Sequence, residues 1–372
     1  MRWAVTDPPF TPLTYSIQAF LWWDTQWRGV NMDWIQRMVF SHVKQTFAWS
    51  DIEPERGQWD FSNGDAILEG LEARQLSVVA RLTNTPYWAL PNQSLPEGVL
   101  DAPAENIEDW ANFCRVIAER YRGRIDAYQL WNEPNLTREW GGLPPNAGEL
   151  VRFIAACSEA IRSVDPDAIL ISPGLAPTGT YDATAVPDDI FLQQMYDHNF
   201  QNYIDVVGVH APGYSAPEVP PEEGSGGHRF FTFRRVEDMR RIMVANGDAA
   251  RQMAILEMGW TTDQIDTDYA WYAVDEAQQA ENLVAAFQYA ADHWRPWIGL
   301  MSVIYISDPR WTEENEEYWW SVALSIAFPY GYTRPAYMEL ANMAKYCGDD
   351  YRPPRDPGSP EALGLAPVRP CN

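Results

Sequence analysis

The feature that most constrains this chain is an alternation that runs along nearly its whole length. Short, continuously apolar runs are separated by longer amphipathic patterns of helical period. Eight runs read as strands: Tyr15–Trp22, His42–Trp49, Leu76–Leu82, Ile125–Trp131, Ala168–Ser172, Ile204–His210, Met253–Glu257 and Gly299–Ile306. Helices are expected near Met32–Phe40, Ser62–Arg74, Asp188–His198, Phe233–Asn246, Glu276–Trp294 and Pro335–Cys347. The two clearest helical faces are Ile107, Trp110, Phe113, Cys114, Ile117 and Tyr121, and Leu150, Phe153, Ile154, Cys157, Ile161 and Val164. Asn146, with Glu149 three residues on, resembles a capping box that opens the second of these.

Strands that apolar cannot leave a face in water, so they belong to a parallel sheet covered on both sides. Eight strand-helix units are what a closed (β/α)8 barrel needs. An open doubly wound sheet is the alternative. The count of eight and the lack of a Gly-rich phosphate turn after the first strand disfavour it. Residues 1–350 are thus expected to form one barrel domain with long βα-loops, and residues 351–372 a Pro/Gly-rich arm.

Charge narrows the partners. The chain carries 52 Asp and Glu against 27 Lys and Arg, a net charge of −25. That field repels phosphate backbones and anionic lipid, so neither nucleic acid nor membrane is expected as a partner. No run is long and apolar enough to span a bilayer, and the N-terminus lacks a signal-peptide core. An extracellular location is favoured only if such a signal has been removed. Cys114 and Cys157 lie on apolar helix faces and read as buried thiols, whereas Cys347 and Cys371 flank the tail and could pair. Five scattered His give no metal-ligand spacing, and the acidic loop around Asp263, Asp266, Asp268 and Asp275 matches no calcium pattern. Neither metal nor cofactor is expected.

In a parallel barrel, chemistry belongs at the C-terminal strand ends. The fourth strand ends Trp131-Asn132-Glu133-Pro134, and the seventh ends Leu256-Glu257-Met258. A lone carboxylate closing an apolar strand costs desolvation and is put to use or paired. Either alone reads equally well as a rim ion pair. Two at facing strand ends match the division of labour in glycosidic cleavage, where one protonates the leaving oxygen and the other attacks the anomeric carbon.

These segments resemble the strand-four and strand-seven signatures of clan A glycoside hydrolases. The run from Phe47 to Phe61 is similar to the strand-two region of the same clan. The resemblance covers strands two to seven and is nearest to xylosidase-like and family-5-like members. It implies a retaining enzyme acting on a carbohydrate, with Glu133 as general acid/base and Glu257 as nucleophile. It implies that Asn132 contacts the sugar 2-hydroxyl and that His210 and Tyr214 lie beside the nucleophile. Lys44 stands where many members carry Arg, and Tyr305 or Trp311 stands where many carry a strand-eight Trp.

The chain has 18 Trp, and several follow strand ends: Trp22, Trp23, Trp49, Trp88, Trp140, Trp260 and Trp311. An indole face suits the C–H face of a sugar, although any one of these could equally pack a loop on the barrel. Trp49, Trp88, Trp260 and Trp311 are the expected sugar platforms. The connections Thr83–Glu105, Ala211–Thr232, Met258–Asp275 and Ser307–Arg334 are long enough to build cleft walls. The expected activity is cleavage of a neutral β-linked glycan. A transglycosylase with the same carboxylates, or a sugar-binding barrel that has lost catalysis, are the competing readings.

Overall fold

The structure, a computed structural model, describes residues 5–11, 13–23, 25–308, 310–324, 332–347, 350–356 and 359. Eight parallel strands close into a barrel: β1 (Thr14–Ala19), β2 (His42–Ala48), β3 (Ser77–Thr83), β4 (Ala127–Leu130), β5 (Ile169–Ile171), β6 (Val206–His210), β7 (Gln252–Met258) and β8 (Ile298–Val303). Pairing of β1 with β8 closes the ring. The wall helices are Arg28–Arg37, Ser62–Glu72, Ile107–Arg120, Ala147–Val164, Asp188–Asp197, Val236–Ala245, Glu276–His293 and Pro335–Asn342. Every expected strand overlaps an observed one.

Two apolar cores follow from strand alternation. Val79, Ala127, Ile171, Val206, Ala254, Leu256 and Leu300 fill the barrel interior. Phe10 closes it at the N-terminal end, where its amide donates to Gln252 Oε1. The opposite faces of the strands, such as Val43, Val78, Leu130 and Met253, pack under the helices. Helix starts are set by side-chain caps. Asn106 Oδ1 accepts from the Glu108 amide, Asn146 Oδ1 from Glu149 and Asp275 Oδ1 from Gln278.

Three expectations change. The last helix ends at Asn342 instead of reaching Cys347, because buried Lys345 turns back to donate to the carbonyls of Leu340 and Ala341. Lys345–Cys347 is instead a strand paired antiparallel with Asp350–Arg352. Cys114 and Cys157 are not free thiols: they form a disulfide between adjacent wall helices, with Cα atoms 5.4 Å apart. Cys371, the other half of the expected tail bridge, lies outside the described residues.

Candidate active site

Strict alternation would turn Trp131 inward and Glu257 outward, and two local irregularities reverse both. On β4, Ala127 faces the interior while Tyr128 and Leu130 face the helices. Trp131 should turn inward. Its backbone instead takes a left-handed φ of 78°, and its indole joins the outer core against Trp110 and Trp140. Asn132 and Glu133 are thereby delivered to the mouth, Glu133 itself at a φ of 40°. Positive φ at bulky residues is costly and persists only where neighbours hold it. Here the Glu133 amide donates to the Gly174 carbonyl, and the Asn135 side chain bonds Ala176 and Val186 of the next loop. On β7, Ala254 and Leu256 face inward, so Glu257 should face out. The pairing register with β6 slips between Val209 and His210, so that His210 opposes Glu257. This bulge aims Glu257 into the mouth beside Leu256.

One oxygen from each carboxylate and a His210 nitrogen lie within 4.8 Å of one another. They lie in a cavity of about 670 Å³. His210 Nδ1 is 2.9 Å from Glu133 Oε1 and 3.7 Å from Glu257 Oε2. Room for its ring exists because residue 174 is glycine, where a Cβ would lie 2.1 Å from the imidazole. Arg138 donates to Glu133 Oε2 at 3.0 Å from a half-exposed position. Beneath Glu257, Lys44 Nζ donates to Oε1 at 2.8 Å and to the Leu256 carbonyl at 3.1 Å. Arg81 approaches the same Oε1 at 3.7 Å.

These neighbours set the charge. Burial works against ionisation of Glu257, but Lys44, then His210 and Arg81, outweigh it and hold the carboxyl at about 2. Burial also lifts Glu133, yet its hydrogen bond and ionic attraction to His210, with Arg138, leave it below the ordinary carboxylate range despite the Glu257 charge. Both environments therefore favour the ionised carboxylate. Burial pushes Lys44 down to about 8, which leaves it a cation at neutral pH. Glu133, His210 and Glu257 are also the one trio among the described residues whose atoms converge closely enough to ligate an ion. Three protein cations already surround them, which disfavours adding a fourth.

Of the residues singled out from sequence, Glu133, Glu257, Asn132, His210, Tyr214, Tyr305 and Trp311 line this cavity. Trp49, Trp88, Trp260 and Lys44 do not. Trp49 is fully buried, stacked on Phe113 with its indole donating to Glu53. Trp88 donates to the Glu53 carbonyl under the Arg56 guanidinium. Trp260 is fully buried because its indole lies on Gly213, 1.9 Å from where a Cβ would stand. Trp49 and Trp260 are corrected from sugar platforms to packing residues, and partly buried Trp88 lies outside the cavity lining. Lys44 contacts the Glu257 carboxylate from below, outside the cavity lining, and is corrected from a substrate contact to a buried partner of Glu257. Arg81 escaped notice, although its place two residues after inward-facing Val79 marks it as interior. Nothing local marks Arg138.

The family described as beta-galactosidase, glycoside hydrolase family 42, matches residues 18–126, from β1 to the start of β4. Both carboxylates lie beyond that stretch. Among solved structures, a family 39 glycoside hydrolase from Bacteroides cellulosilyticus WH2 superposes with a TM-score of 0.66 at 17% identity, over 91% of this chain and 64% of its own. The chain thus spans somewhat less than two thirds of that relative. Xylanase 10B from Thermotoga maritima gives 0.56 at 16% identity, over 89% of this chain and 94% of its own. The family 1 β-glucosidase from Thermotoga maritima gives 0.59 at 12% identity, over 89% and 96%. No curated protein sequence matches. Among the described residues no helix is long and apolar enough to cross a membrane. By its fold, a closed eight-stranded parallel barrel with helices between the strands, the chain is similar to these glycoside hydrolases.

Proposed function

We propose that this protein is a retaining β-glycoside hydrolase, with Glu257 as nucleophile and Glu133 as general acid/base. The observation that carries this reading is the approach of the two carboxylates to within 4.8 Å, oxygen to oxygen. Retaining enzymes hold their carboxyl groups roughly 5–5.5 Å apart, whereas inverting ones leave roughly 6.5–9.5 Å for a water. In the first step a Glu257 oxygen attacks the anomeric carbon and the glycosidic C–O bond breaks. The departing oxygen takes the Glu133 proton. In the second, Glu133 removes a proton from water, whose oxygen attacks the same carbon and releases Glu257. Two inversions restore the original configuration.

With Glu133 ionised in the empty cavity, the proton has to be held once substrate is bound. A sugar ring over Glu257 strips water from Glu133, which favours the neutral acid. Aromatic side chains flank this position on two sides. Phe20, Tyr305 and Trp311 form one cluster, and Tyr214, Tyr269 and Tyr272 the other. Flat faces from both clusters, in a cavity also lined by Glu316 and Glu317, suit a neutral glycan of the glucan, xylan or mannan kind and disfavour a carboxylated one.

The test is chemical rescue. Glu257→Ala should abolish turnover of a β-aryl glycoside, and azide should restore it with an α-glycosyl azide as product. Rescue of Glu133→Ala to a β-azide is the matching result for the acid/base. A first hydrolysis product of inverted configuration by NMR would overturn the mechanism.

A further inference from the structure

Of the cavity carboxyls that the mechanism does not use, Glu139 is the buried one. Glu139 closes the short turn Thr137–Glu139 that follows β4, is only 7% exposed, and lines the same cavity as Glu133 and Glu257. Its backbone is fixed from two sides. Its carbonyl accepts the Trp131 indole at 2.9 Å, and the preceding Arg138 carbonyl accepts the amides of Leu100 and Asp101. Its carboxyl group, by contrast, has no hydrogen-bond or ion-pair partner among the described residues. Other buried carboxylates nearby are used structurally. Asp101 accepts from the amides of Asn84, Thr85 and Ala102, and Glu53 accepts from the Trp49 indole and the Gly57 amide. A carboxyl this buried with no partner costs free energy that a ligand hydrogen bond can return.

We propose that Glu139 is a substrate-contacting, specificity-determining residue that holds the 2- or 3-hydroxyl of the sugar ring seated on Glu257. The inference rests on the glycosidase reading above. Its placement follows from its neighbours. Glu139 lies within electrostatic reach of both Glu133 and Arg81, and Arg81 is the cation that approaches Glu257 from the β3 side. Ring substituents close to the anomeric carbon are the ones that can reach this corner. Arg81 Nε is also buried without a partner, and Arg81 and Glu139 line the same cavity. Burial, reinforced by the Glu133 charge, pushes Glu139 up to about 8, so the resting carboxyl is neutral and can both donate to and accept from a hydroxyl.

The experiment crosses ring position with side chain. Aryl β-glucoside, β-galactoside and β-xyloside, each with its 2-deoxy and 3-deoxy analogue, are compared on wild type, Glu139→Gln and Glu139→Leu. The expected result is a position-specific loss. For Glu139→Leu, kcat/KM on the parent glycoside falls about 10- to 100-fold, and the deoxy penalty at the contacted position shrinks to within about threefold of none. The penalty at the other position persists, and Glu139→Gln, which keeps a donor and an acceptor, falls between. The isosteric Gln variant carries the comparison if Leu prevents folding. Equal deoxy penalties in wild type and variant would overturn the inference while leaving the hydrolase reading intact. Failure of wild type to turn over any of the glycosides overturns both.

Discussion

Lys44 Nζ, itself out of contact with solvent, lies 2.8 Å from Glu257 Oε1, so the charge of Glu257 is set from beneath the cavity floor. Because this attraction favours the carboxylate, removing it leaves burial in control and the Glu257 pKa rises from about 2. In the proposed mechanism turnover needs the ionised form and is lost as pH falls through that pKa. Lys44→Met should therefore move the acidic limb of kcat/KM to higher pH by about one unit or more, with Glu257 still in place. A pH-rate profile checks it; an unmoved acidic limb would remove the role assigned to Lys44.

The Glu133 pair with His210 makes a second, opposite prediction. Free protein holds this carboxyl low, whereas bound sugar buries it further. The alkaline limb, which marks loss of the acid's proton, should fall at lower pH in kcat/KM than in kcat, since the first reports free enzyme and the second the complex. Arg138→Ala removes one cause of the lowering and should shift the kcat/KM limb upward. The shift should stay under about one unit because Arg138 is half-exposed and screened. Coincident limbs in both parameters would contradict this account.

Two tryptophans separate packing from binding. Trp260→Ala empties a fully buried site and should cost about 3–5 kcal/mol of stability, read by urea unfolding. Trp311→Ala, at the cavity wall, should leave the melting temperature nearly unchanged and raise KM for an oligosaccharide about tenfold. A reversal of these two phenotypes would mean that the indoles exchange roles in solution.

The disulfide gives the fourth. Cys114 and Cys157 close a loop over a sequence separation of 43. Loop-closure entropy for that length is worth about 4 kcal/mol at 25 °C in the chain-entropy model. The Cys114→Ser/Cys157→Ser variant should unfold at correspondingly lower denaturant, with turnover per folded molecule changed little. Equal stability of the oxidised and double-Ser forms would show that the bridge adds nothing.

Strand positions were legible because a barrel strand, covered on both faces, needs an unbroken apolar run, and such runs stand out. The carboxylate pair at the mouth was legible for the complementary reason: Glu133 and Glu257 are lone charges at the ends of two of those runs. Direction was not legible. A period of two places Trp131 inside and Glu257 outside, and only the left-handed turn at Trp131 and the register slip beside His210 reverse this. The tryptophans misled for a related reason. Whether Trp260 opens to a ligand or lies under a loop depends on Gly213, which belongs to a different βα-loop. Glu139 had no local signal, since a Glu in a loop is ordinarily solvated.

The bridge between the two wall helices also has a topological result. The span from Cys114 to Cys157 contains β4, Asn132, Glu133 and Glu139, so these residues sit on a covalently closed ring. A protease that nicks the exposed end of the loop near Leu143 opens the backbone but frees no fragment. The segment that carries Glu133 stays joined to the rest of the molecule through Cys114, and the cut molecule still migrates as one species until a reductant is added.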